Sequence, residues 1–433
     1  MTVNVCTSFS QRRLLFMRIV RPICCGADIH KDLIVATIAA TNQDGITEYI
    51  QSSFSSQNFD LVRLKAWLIE HHCFEIAMES TGKYWIPVFN VLEGEIKVFV
   101  VHPKYTKAIK GKKTDKKDSK WIADLFKHDL LKFSFIPPKE IRELRELSRY
   151  RIKLIAMRSS ERNRYQNSMT ISNIGLASIL SDPFGKSSRA VMKEVMRSSS
   201  VTEERISKLL ERNAKKKVKE VLQSLDGSHI ESDQRLKMNI ASQHMDQIDS
   251  HVRRLETEMA TRCIPYATLI NLLLDIPGIS YLSAMTIIAE IGTDMSVFET
   301  SKQLSCWAGL APANNESANK KKSVRISKAG SYLKPLLVQC ALAAINSKSN
   351  PYYRIKYNRI KKRRGHKKAI IAIARMILVN IYHILSTGEV YSPCDMEQII
   401  NPKPVKKVMT IQNAIEFLQS QGFDTSKLIS SSS

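Results

Sequence analysis

Asp28, Glu79, Asp115 and Asp118 are the residues of this chain whose types and spacing could do chemistry. Asp28 sits in the apolar run Ile23-Cys-Cys-Gly-Ala-Asp28-Ile29, which reads as a buried strand. Glu79 ends a second apolar run, Phe74-Glu-Ile-Ala-Met78. Asp115 and Asp118 share a lysine-studded segment that opens a helix, and their spacing puts both on one helical face. Carboxylates hold hard divalent cations, and such cations stabilise the attacking and leaving oxygens of phosphodiester chemistry. The set therefore implies a Mg²⁺-dependent phosphodiester enzyme. Taken singly, each acid has a plainer account. Asp115 could be a helix cap with Asp118 in the first turn, favoured by the macrodipole. Asp28 and Glu79 could be strand-end acids bonded to a turn. Eight lysines from Lys104 to Lys120 tip the balance, as does joint placement at the edge of one expected sheet. Two acids so close repel unless a cation lies between them or one is protonated. Asp28 inside an apolar strand needs a partner or a metal. Asp32 and Glu75 read as surface acids.

The elements that must position these acids follow from periodicity. Ile23–Ile29 and Leu33–Ala39 read as strands joined by a polar turn, with a third near Thr47–Ser52 after the turn signal Asn42-Gln-Asp-Gly45. Phe59–His71 has helical spacing, Phe74–Met78 is a strand, Tyr84–Leu92 a helix with Pro87 in its first turn, and Ile96–Val101 a strand. A helix from Asp115 to about Lys127 closes the series. Three strands, then helix, strand, helix, strand, helix is the order of a ribonuclease-H-like α/β fold.

Pro137-Pro138 marks a boundary. Two long helices, one from residue 139 to about Thr170 and one from His229 to Cys263, are expected to form an antiparallel, coiled-coil-like arm able to carry a dimer contact. Asp182-Pro-Phe-Gly185 and Ser198–Ser200 break the stretch between them. Leu273-Leu-Asp-Ile-Pro277-Gly278-Ile-Ser280 resembles a helix-hairpin-helix turn, which presents backbone N–H groups to DNA phosphates. The expected domains are 1–21, a disordered extension; 22–136, the α/β domain; 137–263, the helical arm; 264–390, a mainly α C-terminal domain; and 391–433, a tail.

Lys+Arg 66 against Asp+Glu 41 leaves +25 over 433 residues, which points to a polyanionic partner, most often nucleic acid. No apolar run approaches the roughly 18 residues of a membrane span, so no membrane partner is expected. Met1 to Val20 lacks a signal-peptide pattern, and Met17 is an alternative start. The eight cysteines form no Cys-x-x-Cys pair, so a reduced, cytoplasmic setting is expected.

Two further motifs matter. Ser80-Thr-Gly82-Lys83 fails as a phosphate loop, because Tyr84 stands where Ser or Thr must bind Mg²⁺ and Ala77 where the first Gly belongs. Arg354 to Lys368 is the densest basic run, interleaved with Tyr352, Tyr353 and Tyr357. A block so one-signed is more often a phosphate contact than a solvated face. The helix after it, Ala369–Ile384, reads as core.

In order, these pieces resemble the DEDD-type transposases of the insertion-sequence "one-ten" family, over residues 24 to about 390. Gly26-Ala-Asp28-Ile-His-Lys31 is similar to the family's first-Asp motif, and Met78-Glu79-Ser-Thr-Gly82-Lys-Tyr84 to its Glu motif. His102-Pro103 with Lys113-Thr-Asp115-Lys-Lys-Asp118-Ser119 resembles its paired-Asp motif. Ile276-Pro-Gly278, Trp307-Ala-Gly309-Leu-Ala-Pro312, Ser317 and Lys328-Ala-Gly330 resemble its C-terminal transposase domain. Composition alone would leave Ser317 in a solvated polar loop.

The resemblance implies a RuvC-like domain whose Asp28, Glu79, Asp115 and Asp118 bind Mg²⁺. It also implies a helical domain whose Ser317 attacks DNA to form a phosphoserine link. It further implies a homo-oligomer, dimer or tetramer, and a guide RNA from the element's flank that pairs with donor and target DNA. Lys112, Lys113, Pro277, Gly278, Lys320, Arg325, Lys328, Lys362, Arg363 and Arg364 are the expected nucleic-acid contacts. Ala318 stands where the family usually has Gly, and Ser119 where it usually has Ala. The expected function is site-specific DNA recombination that mobilises an element. The alternatives are a RuvC-like junction endonuclease using metal-activated water and a decayed, non-catalytic DNA-binding transposase. A sugar kinase of related fold would need glycine-rich phosphate loops, and 15 glycines form no such cluster.

Overall fold

The computed structural model describes residues 18–79, 82–101, 115–197, 201–312, 316–317, 320–321, 325–400 and 419. The chain divides into two compact units, Met1–Ile136 and Pro137–Ser433.

The first unit is built on a five-stranded mixed sheet of order β3-β2-β1-β4-β5. The strands are β1 (Ile23–Ile29), β2 (Leu33–Thr41), β3 (Thr47–Ser55), β4 (Glu75–Glu79) and β5 (Lys97–Val101). β1–β2 and β2–β3 pair antiparallel, β1–β4 and β4–β5 parallel. β1 and β2 are covered on both faces and are therefore almost wholly apolar. β3 is the edge and carries exposed polar residues. Alternation decides which side chain meets which helix. Cys25, Ala27, Ile29, Ile76 and Met78 face a core shared with helices α1 (Asn58–Glu70) and α2 (Trp85–Leu92). Cys24, Ala39, Ala77 and Val101 face the opposite core, with Ile122, Ala123 and Phe126 of α3 (Asp115–Lys127). By the same period-two rule Asp28 and Glu79 belong to the α3 face. The element order matches the sequence reading, with ends shifted by one to three residues. Glu75 is a correction: it is half-buried and pairs with Arg21 at 3.1 Å, and Arg21 also stacks over the Phe126 ring at 4.5 Å.

The second unit starts with α4 (Lys139–Ile171), which packs along α5 (Ser232–Arg262). Ion pairs Arg262–Glu143, Arg151–Glu256 and Arg158–Asp249 run down the pair in opposite sequence order, so the two helices are antiparallel. Between them the chain folds as short helices around a core of its own, including Leu176, Val191, Met192, Ile206, Leu210 and Val221. After α5 come α6 (Ala267–Leu274), α7 (Tyr281–Ile291), α8 (Ser301–Trp307), the two-residue strands β6 (Glu316–Ser317) and β7 (Lys320–Lys321), α9 (Leu333–Ile345), α10 (Tyr352–Arg364) and α11 (His366–Thr387). The root of α4 is fastened to the end of α7. Arg149 grips the buried Glu290 with two bonds of 2.8 Å, and Arg145 donates to the Ala289 and Glu290 carbonyls.

One expectation about apolar runs is corrected. α11 is long and apolar enough to cross a membrane by length and composition. Arg375, Asn380 and His383 interrupt the run, which hides it from a search for unbroken apolar sequence. Here it is a core helix: Ile373, Ile377, Leu378 and Ile381 are buried, and it packs on α9 and α10.

Candidate active site

The acidic edge is set by register. Ala27 pairs with Met78 across the parallel β1–β4 ladder, so Asp28 and Glu79 stand side by side where both strands end. In α/β sheets, the carboxyl ends of parallel strands are where ligands bind. α3 brings the other two acids in its first turn, where the helix dipole favours negative charge. The approach of α3 depends on Gly26. A Cβ built there would lie 2.2 Å from the Ala123 nitrogen and 2.4 Å from the Ser119 carbonyl oxygen. Helix backbone thus rests directly on strand backbone. Ser119, on the buried face of α3, lies 2.8 Å from the Thr37 hydroxyl, and Gln51 donates to both. The serine at this position is therefore a fastening for α3, which its spacing in the sequence does not reveal.

Asp28 is 6% exposed. Burial pushes its carboxyl above the usual range; His30 opposes that shift, while Glu79, Asp115 and Asp118 add to it. Glu79, Asp115 and Asp118 therefore all lie close enough to Asp28 to act on it. The tightest group is Asp28, His30 and Asp115, whose ligand atoms lie within 4.8 Å of one another. His30 Nε2 is 3.2 Å from Asp28 Oδ2 and 3.5 Å from Asp115 Oδ1. A desolvated carboxylate ringed by three more, with one imidazole, is a donor set that fits a hard divalent cation. His30 was passed over as a ligand in the sequence because it read as part of a polar turn. The signal was its two-residue offset from Asp28, which is same-face spacing on a strand.

Ser317 is carried differently. It lies on β6, where Glu316 pairs with Lys321 and Ser317 with Lys320; a Pro312–Ile326 bridge closes the stretch lower down. The polar loop expected from composition is therefore a small hairpin. Its base is a crossing of two glycine turns. A Cβ on Gly309 (φ +68°) would lie 2.5 Å from the Ala329 oxygen, and one on Gly330 (φ +67°) 2.2 Å from the Ala308 oxygen. Trp307-Ala-Gly309 and Lys328-Ala-Gly330 are thus the two halves of one backbone contact. Lys334 Nζ donates to the Ser327 carbonyl at 2.7 Å, and the Arg149 guanidinium lies 4.6 Å from the Tyr332 ring, so the crossing is tied to α9 and α4.

The predicted nucleic-acid contacts are scattered. Lys112 and Lys113 lie outside the described residues, as do the side chains of Ser317 and Lys320. Arg325 and Lys328 are exposed on the return of the serine hairpin. Pro277 and Gly278 form the turn between α6 and α7, but Gly278 (φ +89°) is pressed on α9, 2.2 Å from the Cys340 oxygen to a built Cβ. Lys362, Arg363 and Arg364 are exposed in the last turn of α10, at the negative end of its dipole. The interleaved tyrosines are not on that surface. Tyr352, Tyr353 and Tyr357 are buried, with hydroxyls engaged to Asp395, Asn380 and His366. They are core residues, and the exposed cations of the run stand apart from them.

Two family models match the chain. A DEDD-type model described as "Transposase" covers residues 25–173, and one described as "Transposase IS116/IS110/IS902 family" covers residues 270–358. The first contains all four acids and the second contains Ser317. A curated relative, the transposase for insertion sequence element IS1111A of Coxiella burnetii (strain RSA 493 / Nine Mile phase I), is 34% identical over 119 residues. That match covers 27% of this chain and 32% of the relative.

Proposed function

The chain belongs to the IS110 family of transposases, and from that premise we propose that it is a DNA recombinase that cuts and rejoins strands at element ends and target. The observation that carries the reading is the meeting of Asp28, Glu79, Asp115 and Asp118 at one sheet edge, around a buried carboxyl that their charges disfavour. Those residues would hold a divalent cation, Mg²⁺ in the cell, which when bound polarises the scissile phosphate and steadies the leaving oxygen. Asp28 would anchor it from β1, Glu79 from β4, and Asp115 and Asp118 from the first turn of α3.

Ser317 is the nucleophile in this proposal. Its Oγ forms a bond to phosphorus as the DNA oxygen leaves and takes a proton, and the serine proton passes to solvent. Attack by a hydroxyl of the partner strand then restores the serine. The phosphodiester energy stays in the covalent link, so no nucleotide cofactor is needed. Arg325, Lys328 and Lys320 would offset charge that develops on the phosphate. Lys112, Lys113, Pro277, Gly278, Lys362, Arg363 and Arg364 would grip the nucleic-acid backbone. The RuvC-like assignment of the sheet, a guide RNA from the element's flank and a homo-oligomer of two or four copies belong to the same reading, as does the cytoplasmic setting.

The test is strand exchange by Asp118→Ala in Mg²⁺. Loss of exchange with duplex binding retained supports the metal role; normal exchange rejects it.

A further inference from the structure

We infer that His30 is a ligand of the cation, which makes this a mixed nitrogen–oxygen site. The inference rests on the metal reading of the acidic edge. His30 follows Asp28 by two residues, just past the end of β1, so its side chain rises on the same face. Its backbone is fixed, because its amide donates to the Leu33 carbonyl at 2.9 Å across the turn to β2. From there Nε2 reaches Asp28 Oδ2 at 3.2 Å and Asp115 Oδ1 at 3.5 Å.

Those separations are informative. Two ligands on neighbouring corners of an octahedron, each ~2.1 Å from the ion, lie ~3 Å apart. The ring nitrogen already stands near that spacing from an oxygen on β1 and from one on α3, and all three ligand atoms lie within 4.8 Å of one another. A cation can enter with small side-chain shifts and with the ring proton carried on Nδ1. Glu79 and Asp118 add charge from the flanks. The competing account is an ion pair from a protonated ring to the two carboxylates. In that account the ring leaves once a cation neutralises the acids. Coordination keeps it in place.

The two accounts differ in metal choice. Mg²⁺ keeps to oxygen ligands and water, whereas imidazole nitrogen suits transition metals. A His30-ligated site should therefore hold Mn²⁺ or Co²⁺ more tightly than Mg²⁺. Replacing the nitrogen by an oxygen should narrow that preference by about tenfold or more, the scale of even an outer-shell change.

The experiment uses the full, tag-free chain without nucleic acid, titrated with Mn²⁺ and read by pulsed electron paramagnetic resonance. Expected is one bound Mn²⁺ per chain with hyperfine coupling to ¹⁴N. His30→Asp should still bind Mn²⁺, lose the coupling and show the narrowed preference over Mg²⁺. Mn²⁺ bound at an Asp28-dependent site without nitrogen coupling, or coupling that survives in His30→Asp, overturns the ligand role and leaves the metal reading standing. Failure of the wild-type chain to bind Mn²⁺ stoichiometrically overturns both.

Discussion

The acidic edge and the serine hairpin place reactive groups by different physical means. At the acidic edge the groups sit on regular elements. Strand register fixes Asp28 beside Glu79, and helical spacing fixes Asp115 relative to Asp118. The serine sits on two-residue strands with little ladder of their own. Its place is set by the Gly309–Gly330 crossing and by ties from Lys334 and Tyr332. On the proposed reading, a metal site tolerates little relative movement of its ligands, so sheet and helix backbones would carry it. A nucleophile that must meet a large polymer can stand on a short hairpin, provided the hairpin's root is rigid.

Breaking either half should be separable from breaking the other. The largest effect is expected from Asp28→Asn, which removes the buried anchor: strand exchange should fall by about a thousandfold, equal to ~4 kcal/mol of transition-state stabilisation, in single-turnover assays. Next are the two glycines. Gly26→Val forces α3 off β1 and should abolish stoichiometric Mn²⁺ binding, because no neighbouring backbone can yield by the needed ångström. Gly330→Ala should leave Mn²⁺ binding intact and cut exchange by about a hundredfold, since its positive φ and the Ala308 carbonyl both resist a Cβ. Loss of Mn²⁺ binding in Gly330→Ala, or Mn²⁺ binding retained in Gly26→Val, would erase the distinction drawn above.

Arg149→Ala strands the buried Glu290 and should lower the unfolding free energy of the second unit by ~3–5 kcal/mol in urea titrations. The triple change Lys362→Ala, Arg363→Ala, Arg364→Ala should lower the slope of log affinity against log salt by about 3 while thermal stability stays unchanged. The smallest effect is Ser119→Ala. Thr37 and Gln51 remain bonded to each other, so a loss of ~1 kcal/mol is expected, visible as a small drop in Tm.

These contrasts also explain what could be read from sequence. The α/β order was legible because buried strands and amphipathic helices carry different periods, and the acids stood out against apolar runs. Helix lengths in the arm were legible for the same reason. What stayed hidden depends on contacts between distant segments. Gly26 gives no sign of the helix lying on it, and Arg149 none of its buried partner Glu290. The burial of Tyr352, Tyr353 and Tyr357 stayed hidden because a basic run masks which face of α10 turns inward. α11 was legible as a core helix, but not its span-like length, because three polar residues interrupt an otherwise apolar stretch. Ser317 was legible only through resemblance, since nothing in its local composition predicts a hairpin.

The central claim is that Ser317 attacks DNA with the acidic edge in support. It is tested most directly by a denaturing gel. The protein, co-expressed with its element's flanking DNA, is incubated with end-labelled element-junction and target DNA in Mg²⁺, beside Ser317→Ala. The account predicts a labelled protein–DNA adduct with the wild-type chain and none with Ser317→Ala. Cleaved DNA without an adduct in either lane would contradict it and assign the nucleophile to water.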